Sequence, residues 1–252
     1  HRPLFPQSEK KTNPYYFMPR DQNILTAHPI FPVRVAKELM FDVLTDKDIG
    51  LNLLRVVHGE QEMRYYRQLR TGDEINMLAR IISIEEKESG DIMKLSMRMF
   101  NIEELVLEMV SSFFVRGDKK VEKTEKKEKA VLKGSGVAFS EELVISEDQT
   151  YRYADASGDN NLIHVDEKTA KSVGFPSVIL QGLCTMAMAT RAVVDQLAEQ
   201  NPDKLKKIAC RFSKPVFPKD VLNAQGFYDK EKGIVTFELF NQNGENVITN
   251  GY

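Results

Sequence analysis

The chain has little cysteine. Among its 252 residues only Cys184 and Cys210 occur, far apart and without ligand-like spacing, which argues against a disulfide framework or a zinc site and for a reducing compartment. It also lacks a surplus of charge of either sign. With 35 basic against 37 acidic residues, no overall field draws it to nucleic acid or an anionic membrane, so a charged ligand must be held by a local patch. Long apolar runs are missing too: residues 177–194, the most apolar stretch, are interrupted by Gln181, Thr185, Thr190 and Arg191, too polar for a membrane span. The N-terminus carries Pro3, Pro6, Pro14 and Pro19 and no apolar signal region. A cytoplasmic location is therefore expected. Because the chain begins with His1, a removed targeting segment stays open, and with it an organellar or peroxisomal location.

What is present is 42% hydrophobic content, enough for two small domains with cores of their own. Residues 1–23 read as an irregular arm. From Phe31, the positions Val33, Ala36, Met40, Val43 and Leu44 recur at helical spacing, with Pro32 acceptable in a first turn, so a helix is expected to end near Thr45. Strand-like runs follow at 51–58, 61–69, 75–83, 93–101 and 105–115, separated by turn residues such as Thr71, Gly72 and Asp73. Residues 118–129 mark a boundary, since ten of the twelve are charged and Val121 is their only apolar residue. Beyond it a strand is expected over 137–145. Ser146 and Gln149 form a capping-box pattern for a short helix to about Ala156, and Asp166 caps another that Gly174 ends. From Leu183 a helix apolar nearly all round belongs in an interior. Strands then recur over 205–212, 221–228, 234–241 and from Val247. The expected organisation is a first repeat over 1–117, a charged linker over 118–133 and a second repeat over 134–252.

Both halves thus read as a helix followed by antiparallel strands. Laying residues 64–75 on 211–222 matches Arg64 with Arg211, Tyr65 with Phe212, Arg67 with Lys214, Asp73 with Asp220 and Ile75 with Leu222, as a duplicated fold would. The second copy alone carries the stretch from Tyr153 to Asp166. There Asp159 and His164 lie five apart, a spacing that on one helix would turn the side chains roughly 140° from each other. Gly158, Asn160 and Asn161 are turn formers, so a loop or strand end can bring carboxylate and imidazole together over one water. Spacing alone favours an acidic turn with a hydrogen-bonded histidine; the longer motif around it reverses that balance. A metal site built from Asp159, His164 and Asp166 is disfavoured, because His164 and Asp166 are too close for many geometries and no further ligands accompany them.

The order Ser157, Gly158, Asp159, Asn161, His164, with Gly174, Phe175 and Pro176 and then Gln181, Gly182 and Leu183 downstream, resembles the hydratase motif of MaoC-like, (R)-specific enoyl-thioester hydratases and dehydratases. Residues 58–73 are similar to the non-catalytic first repeat of two-domain members. The resemblance implies an α+β double hot-dog fold, in which an antiparallel sheet wraps a central helix in each repeat and the repeats pack side by side. It implies reversible hydration of a trans-2-enoyl thioester, expected to be a CoA ester, to the (3R)-3-hydroxyacyl form. Asp159 and His164 would be the acid–base pair, Gly182 the oxyanion donor, and Asn161 and Gly158 would shape the loop and position the water. The family usually has proline after the asparagine; here Leu162 stands there, which frees a torsion that proline would fix at about −65°.

Arg211 and Lys214 are candidate contacts for CoA or a carrier, although each taken alone reads better as solvated surface charge. No cofactor is expected beyond the CoA or phosphopantetheine of the substrate, and no metal. Other readings are dehydration on acyl carrier protein, a hot-dog thioesterase, and a non-catalytic acyl-thioester binding module. A homodimer of such chains is a further expectation. His58 reads as a structural residue near the repeat interface, His28 as a loop residue and Cys184 as buried packing.

Overall fold

The computed structural model describes residues 25–117, 137–229 and 233–252. The expected arm over 1–23 and the charged linker over 118–133 lie outside the described residues.

The first half opens with α1 (Pro32–Thr45), where Pro32 occupies the first turn as expected. A 3-10 turn (Leu53–Arg55) leads into β1 (Val56–Tyr65), β2 (Ile75–Lys87), β3 (Gly90–Asn101) and β4 (Glu104–Arg116). The two strands expected over 51–58 and 61–69 are in fact one. Gly59 does not turn the chain; it is absorbed as a bulge between His58 and Glu60, and residues 53–55 are helical.

The second half runs β5 (Phe139–Val144), α2 (Gln149–Ser157), α3 (Leu162–Val165), α4 (Glu167–Ser172), α5 (Gly182–Leu197), β6 (Lys207–Phe212), β7 (Val221–Asp229), β8 (Ile234–Phe240) and β9 (Asn246–Gly251). Gly158 ends α2 in the left-handed region at φ 75°, a conformation that costs glycine little. Asp166 caps α4 by accepting the Thr169 N–H at 2.7 Å. The capping box does not form: the Ser146 hydroxyl donates to Asp148 Oδ1 at 2.8 Å instead of accepting a backbone N–H.

The strands form one sheet in the order β2-β3-β4-β1-β6-β9-β8-β7-β5. The halves join where β1 and β6 pair antiparallel, from Glu60 opposite Arg211 to Arg64 opposite Lys207. The two helices lie differently in it. Eleven of the sixteen α5 residues are buried, so this helix is the interior one that its all-round apolar character demands. On α1 only Pro32, Val33, Ala36 and Leu44 are buried, and Phe41 is 54% exposed. It packs against β2 at the rim of the sheet, where inward residues such as Met77 and Ile81 are only partly covered. The neighbouring β3 buries Met93, Leu95, Met97 and Met99 almost completely. Each such side chain contributes about 1.5–3 kcal/mol on leaving water.

Candidate active site

The site grows from the way α2 stops. Gly158 turns the chain sharply, and the Asp159 N–H donates to Ser157 Oγ at 3.1 Å while that hydroxyl donates to the Tyr153 carbonyl at 2.7 Å. Asn161 then caps the single turn of α3, accepting the Ile163 N–H through its side chain at 3.3 Å. His164 is therefore on a one-turn helix and Asp159 in the loop before it, not both on a loop or strand end. The loop undoes the turn of roughly 140° that a continuous helix would impose.

His164 Nε2 and Asp159 Oδ2 come to 4.0 Å. That is too long for a direct hydrogen bond and suits two groups that hold one water between them. The other imidazole nitrogen fixes the tautomer. Nδ1 lies 2.7 Å from the Ile179 carbonyl, which can only accept, so Nδ1 carries the proton and Nε2 presents a lone pair toward Asp159. Burial lowers the pKa of His164, against the opposing pull of the Asp159 carboxylate and the Ile179 hydrogen bond, so the ring is neutral at neutral pH.

Gln181 ties this loop to α5. Its side-chain N–H group donates to the Thr150 carbonyl at 3.1 Å and to the Asp159 carbonyl at 3.3 Å. The next residue, Gly182, is the first of α5. A helix gives its first N–H groups no internal acceptor and places the positive end of its dipole there, so the Gly182 N–H is available to a developing oxyanion. The Phe212 ring covers the glycine: a Cβ at position 182 would lie 3.1 Å from two ring carbons. Gln181 thus ties the backbone of α2 and of the Asp159 loop to the first residue of α5, Gly182.

The other expected residues fall at the periphery. Arg211 Nη1 pairs with Glu60 at 3.4 Å, and Lys214 pairs with Glu245. Asp166 spends its carboxylate on capping α4. Among the described residues there is no cluster of three or more metal-ligating side chains. Two basic residues that the sequence did not single out stand beside the loop instead: a Cβ on Gly158 would lie 3.0 Å from Lys37 Nζ and 3.7 Å from Arg34 Cζ, both on α1. Gln181 and Phe212 are further residues whose place at the site emerges only in three dimensions. Both cysteines are buried thiols, and burial pushes their pKa values up, away from nucleophilic character. No helix among the described residues is long and apolar enough to cross a membrane.

Both halves of the chain resemble known proteins. Residues 126–245 match the MaoC like domain, and residues 4–106 match the FAS1-like, dehydratase domain region. The peroxisomal multifunctional enzyme type 2 of Mus musculus is 29% identical over 89% of this chain, and the match spans 31% of that enzyme's length. A probable enoyl-CoA hydratase 2 of Dictyostelium discoideum is 26% identical over 90% of this chain and 79% of its own. The crystal structure of a MaoC-like dehydratase from Phytophthora capsici superposes with a TM-score of 0.76 at 28% identity, covering 94% of this chain and 84% of that one.

Proposed function

The chain belongs to the MaoC-like hydratase and dehydratase family, and from that premise we propose that it adds water reversibly to a trans-2-enoyl-CoA, giving the (3R)-3-hydroxyacyl-CoA. The observation that carries this reading is the 4.0 Å gap between His164 Nε2 and Asp159 Oδ2. In hydration a water oxygen bonds to C3, the C2=C3 π bond breaks toward C2, and one proton leaves the water and reaches C2. The neutral His164 lone pair and the Asp159 carboxylate are placed to take that proton and return it. As charge moves onto the thioester oxygen, the Gly182 N–H at the helix terminus stabilises it. Side chains and backbone carry every step, so the proposal calls for no metal or redox cofactor. The CoA reading draws on the enoyl-CoA named for the Dictyostelium relative. Because the match spans 31% of the mouse enzyme's length, the activity proposed is that of this unit.

The test follows the ultraviolet absorbance of a conjugated enoyl-CoA in the presence of wild type, Asp159→Asn and His164→Gln. The product is passed to a dehydrogenase specific for the (3R) enantiomer. Wild type should turn over, and each variant should lose at least about a hundredfold in kcat. The acid limb of the wild-type profile should lie below the ordinary histidine value of 6.5, because burial lowers the pKa of His164 and its neutral form is the one required. Folded wild type that leaves short and long enoyl-CoA untouched, yet hydrates the same acyl group on acyl carrier protein, would transfer the reading to a carrier substrate. Inertness toward both would end it.

A further inference from the structure

We propose that His58, on the half that carries no acid–base pair, is a positioning residue for the oxyanion glycine, its imidazole holding the Phe212 ring against Gly182. The hydration reading supplies the oxyanion; the packing itself is independent of it.

Three rings stand side by side on adjacent strands. Phe113 of β4 is the register partner of His58 on β1, with ring centroids 4.9 Å apart and planes at 33°. On the other flank His58 meets Phe212 of β6 at 5.4 Å and 74°, an edge-to-face contact. Phe212 in turn covers the α carbon of Gly182 so closely that a methyl group there would meet the ring at 3.1 Å. Position 182 has no side chain of its own to hold the ring or the backbone. The ring that covers it is the one that His58 packs against.

The bulge makes this possible. Along β1 the residues Gln61, Met63 and Tyr65 are buried, whereas Glu60, Glu62 and Arg64 lie on the more open face. In an unbroken strand, the alternation would put His58 on the face of Glu60. The shift of register between His58 and Glu60 turns it onto the buried face instead, opposite Phe113. There the Nε2–H donates to the Glu60 carbonyl at 3.1 Å, which locks the ring plane. Burial lowers its pKa to about 4, against the Glu60 hydrogen bond and the charge of Asp159, so the imidazole packs as a neutral ring and brings no positive charge to the acid–base pair.

The variants that test this are His58→Ala, His58→Phe and Phe212→Leu, each checked for a wild-type melting profile and assayed on a short enoyl-CoA beside wild type. His58→Ala should lower kcat about tenfold with KM changed by less than about twofold, because a loosened Phe212 misaligns a donor used in the transition state. Phe212→Leu should follow it, and His58→Phe, which restores a ring, should return kcat to within about threefold of wild type. Hydrogen exchange over residues 181–184 supplies a readout that needs no turnover: it should quicken in His58→Ala and stay slow in His58→Phe. An undiminished kcat in His58→Ala, an equal loss in both His58 variants, a change in KM alone, or unaltered exchange would overturn the proposal. An inactive wild type would count against the hydratase reading, and the exchange comparison would still decide the packing.

Discussion

Leu162 is the residue at which this chain departs from the motif it otherwise carries, and the structure shows why the departure is tolerated. It is the first residue of α3, a position that accepts proline because its N–H has no helical acceptor. The preceding Asn161 sits at φ −56° and ψ 129°, the extended conformation that a following proline favours. The leucine side chain is 55% exposed. Leu162→Pro should therefore raise stability by about 0.4–1 kcal/mol through a stiffer unfolded chain, with kcat within about twofold of wild type. Thermal melting and the enoyl-CoA assay check both. At this scale the sequence was informative where chemistry concentrates in a short segment: Asp159, Asn161, His164 and Gly182 lie within one stretch of chain. It was silent on Phe212 and Lys37 and gave His58 only as a structural residue near the repeat interface, because their relation to the site is made by strand pairing and helix placement across the two halves, and no local spacing encodes that. Arg211 and Lys214 show the converse, since their carboxylate partners Glu60 and Glu245 are far off in sequence.

Among the elements, the two helices were equally visible as periodic patterns, yet only α5 had the composition of a buried helix. Periodicity reports that one face is covered and not by how much. The strands were legible except around Gly59, where a glycine that usually signals a turn is a bulge. Another glycine has a different meaning. Gly226 of β7 faces Phe139 of β5 in register, and a Cβ added there would fall 2.0 Å from the Phe139 ring, so the ring or the strand must shift. Gly226→Ala should cost about 1–3 kcal/mol and lower the midpoint of chemical denaturation, with the slope unchanged. Gly226→Ala combined with Phe139→Leu should recover part of the loss if the clash is its cause.

For the molecule as a whole, the decisive feature is that the sheet does not stop between the halves. Besides the β1–β6 ladder, Lys207 pairs with Glu62 at 2.9 Å and lies 5.0 Å over the Tyr252 ring, whose hydroxyl donates to Glu62 at 2.7 Å. Gln68 donates to the Pro202 carbonyl at 2.9 Å from the other side of the join. Two halves fastened in this way should melt together: calorimetry should give one transition whose calorimetric and van't Hoff enthalpies agree, and two resolved transitions would show the halves to be separate folding units. The duplication was legible in the matched segments around Arg64 and Arg211. The shared sheet was not, since a repeat in sequence does not say whether its copies fuse edge to edge or meet face to face.

The same join sets an order of events during synthesis. Glu60 and Arg211 are separated by 151 positions, so the first half emerges from the ribosome and closes its own four strands long before β6 exists. At about 5–20 residues per second, the outer row of β1 amides and carbonyls then waits roughly five to twenty seconds for its permanent neighbour. During that interval the strand that carries His58 is an open edge, a template on which another chain can pair.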